Sequence, residues 1–242
     1  MRSIVVLPTY NEVGNIAPFL AALRATSADI DVLVVDDASP DGTADEARRL
    51  AEQFGGVRVL DRASKDGLGS AYRAGFERVL AEGYDVVVSM DADLSHDPAV
   101  IPTMLALIAD GADVVLGSRY VPGGGTEHWP IHRRLLSRWG NGYTRAVLRL
   151  PIRDCTTGFR AYRASTLAAI RPADTEAEGY AFLTELVRRL AQQGAVIVET
   201  PILFRDRRYG TSKMSGRIIV ESMFRVTWWA ARDAVKPRRS TA

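Results

Sequence analysis

Short apolar runs alternate with longer amphipathic stretches through the first half of the chain. The apolar runs are rich in β-branched residues, as buried strands are, and they occupy residues 3–8, 31–36, 57–60, 86–90 and 113–116. The stretches between them are predicted to be helical at residues 16–26, 43–53, 67–80 and 100–109. This alternation predicts an α/β fold in which helices cover both faces of a parallel sheet and are joined to it by right-handed crossovers.

Polar residues follow four of the predicted strands. Because ligands of parallel α/β sheets bind beyond the carboxyl ends of the strands, side chains in these positions are candidates for one shared site. They are Tyr10 and Glu12 after the first strand, Asp36 and Asp37 after the second, Asp91 and Asp93 after the fourth, and Arg119 after the fifth. Their coincidence at one edge of the sheet predicts a functional site more strongly than any single residue does.

The sequence Asp91-Ala92-Asp93 closes the fourth strand, and Ser95 and His96 lie just beyond it. Two carboxylates at this spacing repel each other unless a cation lies between them. Oxygen ligands suit a hard cation such as Mg²⁺ or Mn²⁺, and a divalent ion with open positions can bind a diphosphate. The stretch therefore indicates a metal–diphosphate site, although short acidic tripeptides also occur at strand ends and helix caps.

Dinucleotide and P-loop sites are disfavoured by the sequence. Gly67-x-Gly69 resembles the beginning of a dinucleotide fingerprint, but Tyr72 stands where the third glycine is needed, and no glycine loop follows the first strand. A Gly-Lys-Ser/Thr sequence is also absent. We interpret Gly67 and Gly69 as positions of tight helix–strand packing.

The composition bears on the size of the core, on disulfide formation and on the distribution of charge along the chain. The 242 residues are 47% hydrophobic, enough for a substantial core, and the single cysteine, Cys155, excludes an internal disulfide and is expected to be a small buried or loop residue. Residues 205–242 contain ten Lys or Arg and three Asp or Glu, whereas residues 1–204 contain 21 and 26. This asymmetry indicates an anionic partner near the C-terminus (a phosphate, a membrane surface or nucleic acid), unless the basic residues form a solvated helix face.

Two basic amphipathic stretches, residues 131–150 and 218–231, suit an anionic membrane surface. We expect peripheral membrane association, directly or through a membrane-anchoring subunit, although 218–231 could equally be a core helix. Nucleic-acid binding is disfavoured because the basic residues are interspersed with apolar ones rather than with a stacking platform. The chain shows no signal peptide and no apolar run near the roughly 20 residues that span a bilayer, so we expect a cytoplasmic location on the cytoplasmic face of a membrane.

Six stretches of the chain carry a family resemblance. VLPTYNE at 6–12, VDDASPDGT at 35–43 and MDADLSHDP at 90–98 together resemble the inverting nucleotide-sugar glycosyltransferases with a GT-A fold. GSRYV at 117–121, DCTTGFR at 154–160 and DRRYGTSK at 206–213 are similar to the dolichyl-phosphate (polyprenol-phosphate) mannosyltransferases. The resemblance implies a Rossmann-like, mostly parallel sheet flanked by helices, with a catalytic domain at 1–216 and an amphipathic basic segment at 217–242.

The resemblance also implies a reaction. Mannose would pass from GDP-mannose to a polyprenyl (dolichyl-type) monophosphate with inversion, giving a polyprenyl-phosphate β-mannose and GDP, with Mg²⁺ or Mn²⁺ as cofactor. A phosphate monoester is already an anion near neutral pH, so it needs positioning and charge screening rather than a general base. Two alternatives remain: transfer from UDP-glucose or another nucleotide sugar to the same lipid phosphate, and a nucleotide-sugar binding module without turnover.

The resemblance assigns roles to individual residues. Asp91, Asp93 and Arg119 would be catalytic. The metal would be bound by Asp91, Asp93 and Ser95, although some relatives have Gln where this chain has Ser95. The acceptor phosphate would be bound by Arg119, Arg133 and Ser137. The donor would be bound by Pro8, Tyr10, Glu12, Val35, Asp37, Asp91, Ala92, Asp93, Arg207 and Lys213.

Several residues keep two interpretations. Asp36 either caps a turn or contacts the nucleotide. Asp154 either orients an arginine or caps a turn. Trp129 either touches lipid or packs its own loop. Glu185 lies on a helix where other inverting glycosyltransferases place an acid–base residue, and it would at most assist here.

Overall fold

A computed structural model of the chain describes residues 1–27, 29–206 and 216–235. The strands are β1 (Ser3–Thr9), β2 (Asp31–Asp36), β3 (Val57–Asp61), β4 (Val86–Ser89), β5 (Val114–Ser118), β6 (Gly125–Thr126), β7 (Arg160–Arg163), β8 (Ile197–Pro201) and β9 (Leu203–Phe204). The α-helices are α1 (Val13–Thr26), α2 (Thr43–Phe54), α3 (Leu68–Ala81), α4 (Ile101–Ala109), α5 (Ile131–Leu148), α6 (Ala164–Ala169), α7 (Gly179–Gln192) and α8 (Gly216–Val235). The five predicted strands are confirmed, with ends that differ by at most two residues.

Seven strands form one mixed sheet in the order β3-β2-β1-β4-β7-β5-β8. All neighbouring pairs are parallel except those of β7, which runs antiparallel to both β4 and β5. The mostly parallel sheet is therefore confirmed, but the five-strand pattern missed β7 and β8. β7 escapes detection because it is only four residues long and has an arginine at each end. β6 and β9 form a separate small parallel pair.

Helices cover both faces of the sheet, as predicted. Alternate residues of β1 point to opposite faces, so Val5 and Leu7 join a core with α1 and α4, while Ile4 and Val6 join a core with α3 and α7. The C-terminal helix α8 packs on the second core through Val226 and Trp229. In the described ranges, none of the helices combines the length and hydropathy required to cross a bilayer.

The predicted packing of Gly67 and Gly69 against a strand is wrong. A Cβ atom on Gly69 would lie 2.8 Å from the carbonyl oxygen of Ala177 and 2.8 Å from a carboxylate oxygen of Glu178, and Gly67 faces the same carboxylate. These glycines therefore admit the segment that leads into α7. The glycine of α3 that meets the sheet is Gly75, whose added Cβ would lie 2.6 Å from Cγ1 of Val6.

Gly75→Ala should lower the free energy of unfolding by about 1–3 kcal/mol, because the added methyl group forces apart a helix and two strands. Gly142→Ala is the matched control, since nothing lies within 4 Å of a Cβ at that helical position in α5. It should raise the free energy of unfolding by about 0.5–1 kcal/mol. Urea unfolding of both variants measures the difference, and equal stabilities would contradict the packing described for α3.

Candidate active site

The polar residues predicted to share a site do lie at one edge of the sheet. β1, β2, β4 and β5 run in the same direction, so their carboxyl ends and the loops that follow them meet there. β7 runs the other way, so its first residue, Arg160, pairs with Ser89 near the end of β4 and with Leu116 near the end of β5. The loop before β7, residues 154–158, therefore lies at the same edge.

Asp36 and Asp37 have different surroundings at the end of β2. Asp36 accepts hydrogen bonds from Oγ1 of Thr9 at 2.8 Å and from the main-chain N–H of Ser39 at 2.8 Å, which makes it a turn-stabilising residue. Asp37 forms an ion pair with Arg62. Burial raises the pKa of Asp37, while the Arg62 guanidinium opposes that rise. Arg62 also donates to Oγ of Ser70 on α3 at 2.6 Å. Through these two contacts, the loop after β3 is tied to the end of β2 and to α3.

The residues predicted to surround the nucleoside differ in their access to solvent. The ring of Tyr10 is half-buried, and Nζ of Lys65 lies 3.7 Å from its centre. Oε2 of Glu12 accepts a hydrogen bond from Nδ2 of Asn15 at 2.6 Å. Pro8 is half-buried beside Val35, its register partner on β2. The side chain of Val35 is fully buried in the core, so only its main chain can face a ligand.

The Asp91–Asp93 turn places one accessible and one buried carboxylate after β4. The side chain of Asp91 is 35% exposed, whereas Asp93 is buried and accepts a hydrogen bond from the main-chain N–H of Ser95 at 3.0 Å. Ala92, between them, is buried in the core. A Cβ on Gly158 would lie 3.5 Å from both carboxylate oxygens of Asp91, so the loop before β7 closes on this carboxylate.

The oxygen atoms at this turn suit a metal ion whose coordination would be completed by a substrate. Within the described part of the chain, no three His, Cys, Asp or Glu residues form a cluster that could hold a metal. Two carboxylates remain, and Oγ of Ser95 is buried without a hydrogen-bond partner among the described residues. Mg²⁺ is commonly bound in this way, by one or two carboxylates together with substrate phosphates and water. Burial lowers the pKa of the neighbouring His96 to about 4, so its ring is neutral at physiological pH.

Arg119 is held by a buried carboxylate across the loop before β7. Its Nε and Nη2 donate to the two oxygens of Asp154, each at 2.7 Å, and Nη2 also donates to Oγ1 of Thr156 at 2.7 Å. Burial acts to raise the pKa of Asp154, but the Arg119 guanidinium outweighs it and the pKa is lowered. Asp154 therefore orients an arginine, and the planar fork of Arg119 is fixed before any ligand arrives.

The first turns of α5 bring two more predicted residues beside Arg119. Nη1 of Arg133 donates to Oδ1 of Asp206 at 2.9 Å, and its guanidinium lies 3.9 Å from the ring centre of Trp129. Oγ of Ser137 is 2.6 Å from the hydroxyl of Tyr120, whose ring lies 5.2 Å from the Arg119 guanidinium. Trp129 is buried against Phe204 with ring centres 5.3 Å apart, so it packs its own loop. Arg119, Arg133 and Ser137 thus surround one aromatic cluster.

The remaining residues considered from the sequence are buried or lie outside the described residues. Glu185 is buried, accepts from the main-chain N–H groups of Glu176 and Ala177, and so fixes the segment before α7. Cys155 is buried as expected, and burial raises the pKa of its thiol to about 12. Arg207 and Lys213 lie outside the described residues.

Sequence reasoning missed Arg62, Lys65 and Tyr120. Tyr120 had a signal, because it adjoins Arg119 in the GSRYV stretch. Arg62 and Lys65 had none, because they lie in an irregular loop whose path over Asp37 and Tyr10 only the fold reveals.

Comparison with known proteins gives a consistent relationship. Residues 4–171 match the family model described as Glycosyl transferase family 2. The undecaprenyl-phosphate mannosyltransferase of Micrococcus luteus is 48% identical over 229 residues, which are 95% of this chain and 94% of that protein. The polyprenol monophosphomannose synthase of Mycolicibacterium smegmatis is 44% identical over 239 residues, 98% of this chain and 90% of that protein.

A solved structure shares the fold. The mannosyltransferase PcManGT of Pyrobaculum calidifontis, in complex with GDP-Man and Mn²⁺, has a TM-score of 0.66 at 21% identity and covers 98% of this chain and 66% of its own. At that identity the likeness concerns the fold alone, which is GT-A-like. Taken with the sequence matches over nearly the full chain, it leads to one assignment: the chain belongs to glycosyl transferase family 2 and, within it, to the polyprenol-phosphate mannosyltransferases.

Proposed function

We propose that this chain transfers mannose from GDP-mannose to a polyprenyl monophosphate with inversion, releasing GDP and a polyprenyl-phosphate β-mannose. The observation that carries the proposal is the near full-length identity of 48% to a protein named as an undecaprenyl-phosphate mannosyltransferase. The edge of the sheet supports it, because carboxylates suited to a metal–diphosphate and arginines suited to a phosphate meet there. The proposal includes selectivity for guanine as the base and for mannose as the sugar of the donor.

The donor would lie along the ends of β1, β2 and β4. Asp37 and the main chain at Val35 would face the guanine, while Tyr10, Glu12 and Pro8 would line the nucleoside. Asp91 and Asp93, with Ser95 beside them, would hold Mg²⁺ or Mn²⁺ against the diphosphate. When bound, such an ion neutralises charge that develops on the leaving GDP. Arg207 and Lys213 are proposed to add positive charge on the same side.

The acceptor phosphate would bind between Arg119, Arg133 and Ser137. Asp154 holds the positive guanidinium of Arg119 in a fixed orientation, and the partly exposed Arg133–Asp206 pair can exchange its carboxylate for a phosphate at little cost. One phosphate oxygen attacks the anomeric carbon while the bond from that carbon to the GDP oxygen breaks. No proton has to leave the nucleophile, so the reaction needs no general base, and Glu185 is committed to main-chain N–H groups.

A lipid acceptor requires a membrane, and we propose that α5 and α8 face one. α5 contains no acidic residue, and Arg134, Arg138 and Arg145 have no carboxylate partner within the described part of the chain. Large apolar side chains are exposed beside them: Ile131, Leu135, Leu136 and Trp139 on α5, and Phe224 and Trp228 on α8. Unpaired arginines around exposed aromatic and aliphatic groups complement an anionic phospholipid surface.

The position of α5 supports the same proposal. Its first turns carry Arg133 and Ser137, so a bilayer against its outer face would bring a lipid phosphate beside Arg119. The hydroxyl oxygens of Tyr143 and Thr227 lie 2.7 Å apart and join α5 to α8. A membrane-anchoring subunit on this surface is the competing partner.

Transfer of radiolabel from GDP-mannose into organic-extractable lipid should require both a polyprenyl phosphate and Mg²⁺ or Mn²⁺. Asp93→Asn should lower kcat/KM at least about 100-fold, because the metal loses its buried charged ligand. Asp97→Asn is the control, since its side chain caps the following turn through the N–H of Ala99 and an amide oxygen can do the same. Label from UDP-glucose instead would overturn the donor, and nucleotide binding without any transfer would favour a binding module.

Arg119→Lys should raise the KM for polyprenyl phosphate about tenfold or more and leave the KM for GDP-mannose unchanged. Lysine keeps the charge but cannot make the two-pronged contact with Asp154 that fixes the orientation of Arg119. Arg188→Lys is the matched control, because Arg188 makes a similar two-pronged contact with Asp233 on α8. Equal effects of both variants on the acceptor KM would count against the acceptor role of Arg119.

Reversing the charge at two arginine positions of α5 should detach the protein from anionic vesicles. Each arginine near such a surface contributes about 1 kcal/mol, so Arg134→Glu with Arg138→Glu should weaken binding at least about 30-fold. The control of equal charge is Arg48→Glu with Arg49→Glu on α2. Sedimentation with phosphatidylglycerol and phosphatidylcholine vesicles measures both. Equal loss in the two double variants, or no binding by the wild type, would refute docking through α5.

A further inference from the structure

A fully buried arginine opens β7. Arg160 has no exposed surface and is the largest such side chain in the described part of the chain. Its Nε donates to the carbonyl of Thr157 at 2.8 Å, Nη2 to the carbonyl of Cys155 at 3.0 Å, and Nη1 to the carbonyl of Leu183 at 2.7 Å. One side chain therefore ties the loop before β7 to α7.

The charge of Arg160 has no carboxylate partner among the described residues. Its three acceptors are neutral carbonyl groups, which accept from three of its five N–H donors but leave a buried positive charge. Placing an ion in a protein interior costs several kcal/mol, and an apolar side chain would fill a strand position in the core without that cost. A guanidinium suits this position because its planar, rigid set of N–H donors reaches the carbonyls of Cys155, Thr157 and Leu183 at the same time.

The loop that Arg160 holds touches both halves of the proposed site. Asp154 and Thr156 hold Arg119 on the acceptor side. Gly158 lies against the carboxylate of Asp91 on the metal side, and its carbonyl accepts a hydrogen bond from Oγ of Ser89 at 2.8 Å. A shift of this loop would therefore displace Arg119 and the surroundings of Asp91 together.

We infer that Arg160 is a positioning residue that fixes the loop at residues 154–158, so that the acceptor arginine and the metal-binding carboxylates keep their relative placement. The inference rests on the proposed function, because it takes Arg119 as the acceptor side and Asp91 as the metal side. Arg160 touches neither substrate. It acts through Asp154 and Gly158.

Arg160→Lys should weaken both acceptor binding and metal binding. An ammonium group is a compact donor that cannot bridge carbonyls on the loop and on α7 in the same way. We expect the KM for polyprenyl phosphate to rise about tenfold and the affinity for Mn²⁺ in the presence of GDP, measured by electron paramagnetic resonance, to fall about tenfold, each corresponding to about 1.4 kcal/mol. Arg119→Lys should move only the first quantity and Asp93→Asn chiefly the second.

Arg163→Lys is the matched control. Arg163 ends the same strand and also donates to main-chain carbonyls, those of Ile108 and Ala112, but at the opposite edge of the sheet. Thermal melting of both variants sets an assay temperature at which each is folded. If Arg160→Lys does not fold, Ser89→Ala releases the same loop without altering a buried charge and should shift both quantities in the same direction.

Three outcomes separate the claims. A joint shift in acceptor KM and Mn²⁺ affinity in Arg160→Lys or Ser89→Ala, absent from Arg163→Lys, is the result expected. Unchanged values in folded Arg160→Lys, or equal changes in Arg163→Lys, would overturn the positioning role while leaving the transfer reaction intact. Failure of the wild type to bind GDP with Mn²⁺ and to transfer mannose would overturn the proposed function, and with it the positioning role.

Discussion

The insertion of one antiparallel strand between two parallel ones is the constraint on which the rest of the structure depends. β7 separates β4 from β5, and because it runs in the opposite direction, it begins where both of those strands end. Its leading loop is therefore brought to the edge where α/β sheets bind ligands. Without that reversal, Asp154 would not reach Arg119, and Gly158 would not lie against the carboxylate of Asp91.

The electrostatics of the edge follow from this arrangement. Both proposed substrates are anions, so their approach needs positive charge on each side of the reacting carbon. On one side two carboxylates would recruit that charge as a divalent ion, and on the other side arginines would provide it directly. The pairing of Arg119 with buried Asp154 offsets the cost of burying the guanidinium and fixes its orientation. In the proposed arrangement, the arginines of α5 would extend the positive surface outward, toward a lipid phosphate.

Hydrophobic patterning was sufficient to predict β1 to β5 and the helices between them, because the strands are short, mainly apolar runs and longer stretches of helical character separate them. It could not reveal β7, whose buried Arg160 reads as a surface residue until its carbonyl partners are seen. Strand ends predicted the edge of the site, and the family resemblance added Val35, but neither showed that the side chain of Val35 is buried in the core. Arg119 and Asp154, 35 positions apart in sequence, needed the fold to become a pair.

The central claim is that the acceptor phosphate attacks the anomeric carbon directly, from the side opposite the departing GDP, across the edge shaped by β7. The anomeric configuration of the lipid product, read from its one-bond carbon–hydrogen coupling by nuclear magnetic resonance, tests that claim most directly. GDP-mannose is α-linked, so a single displacement predicts a β-linked product. An α-linked product would contradict the account, because retention requires a second displacement or an attack from the same face as the departing GDP.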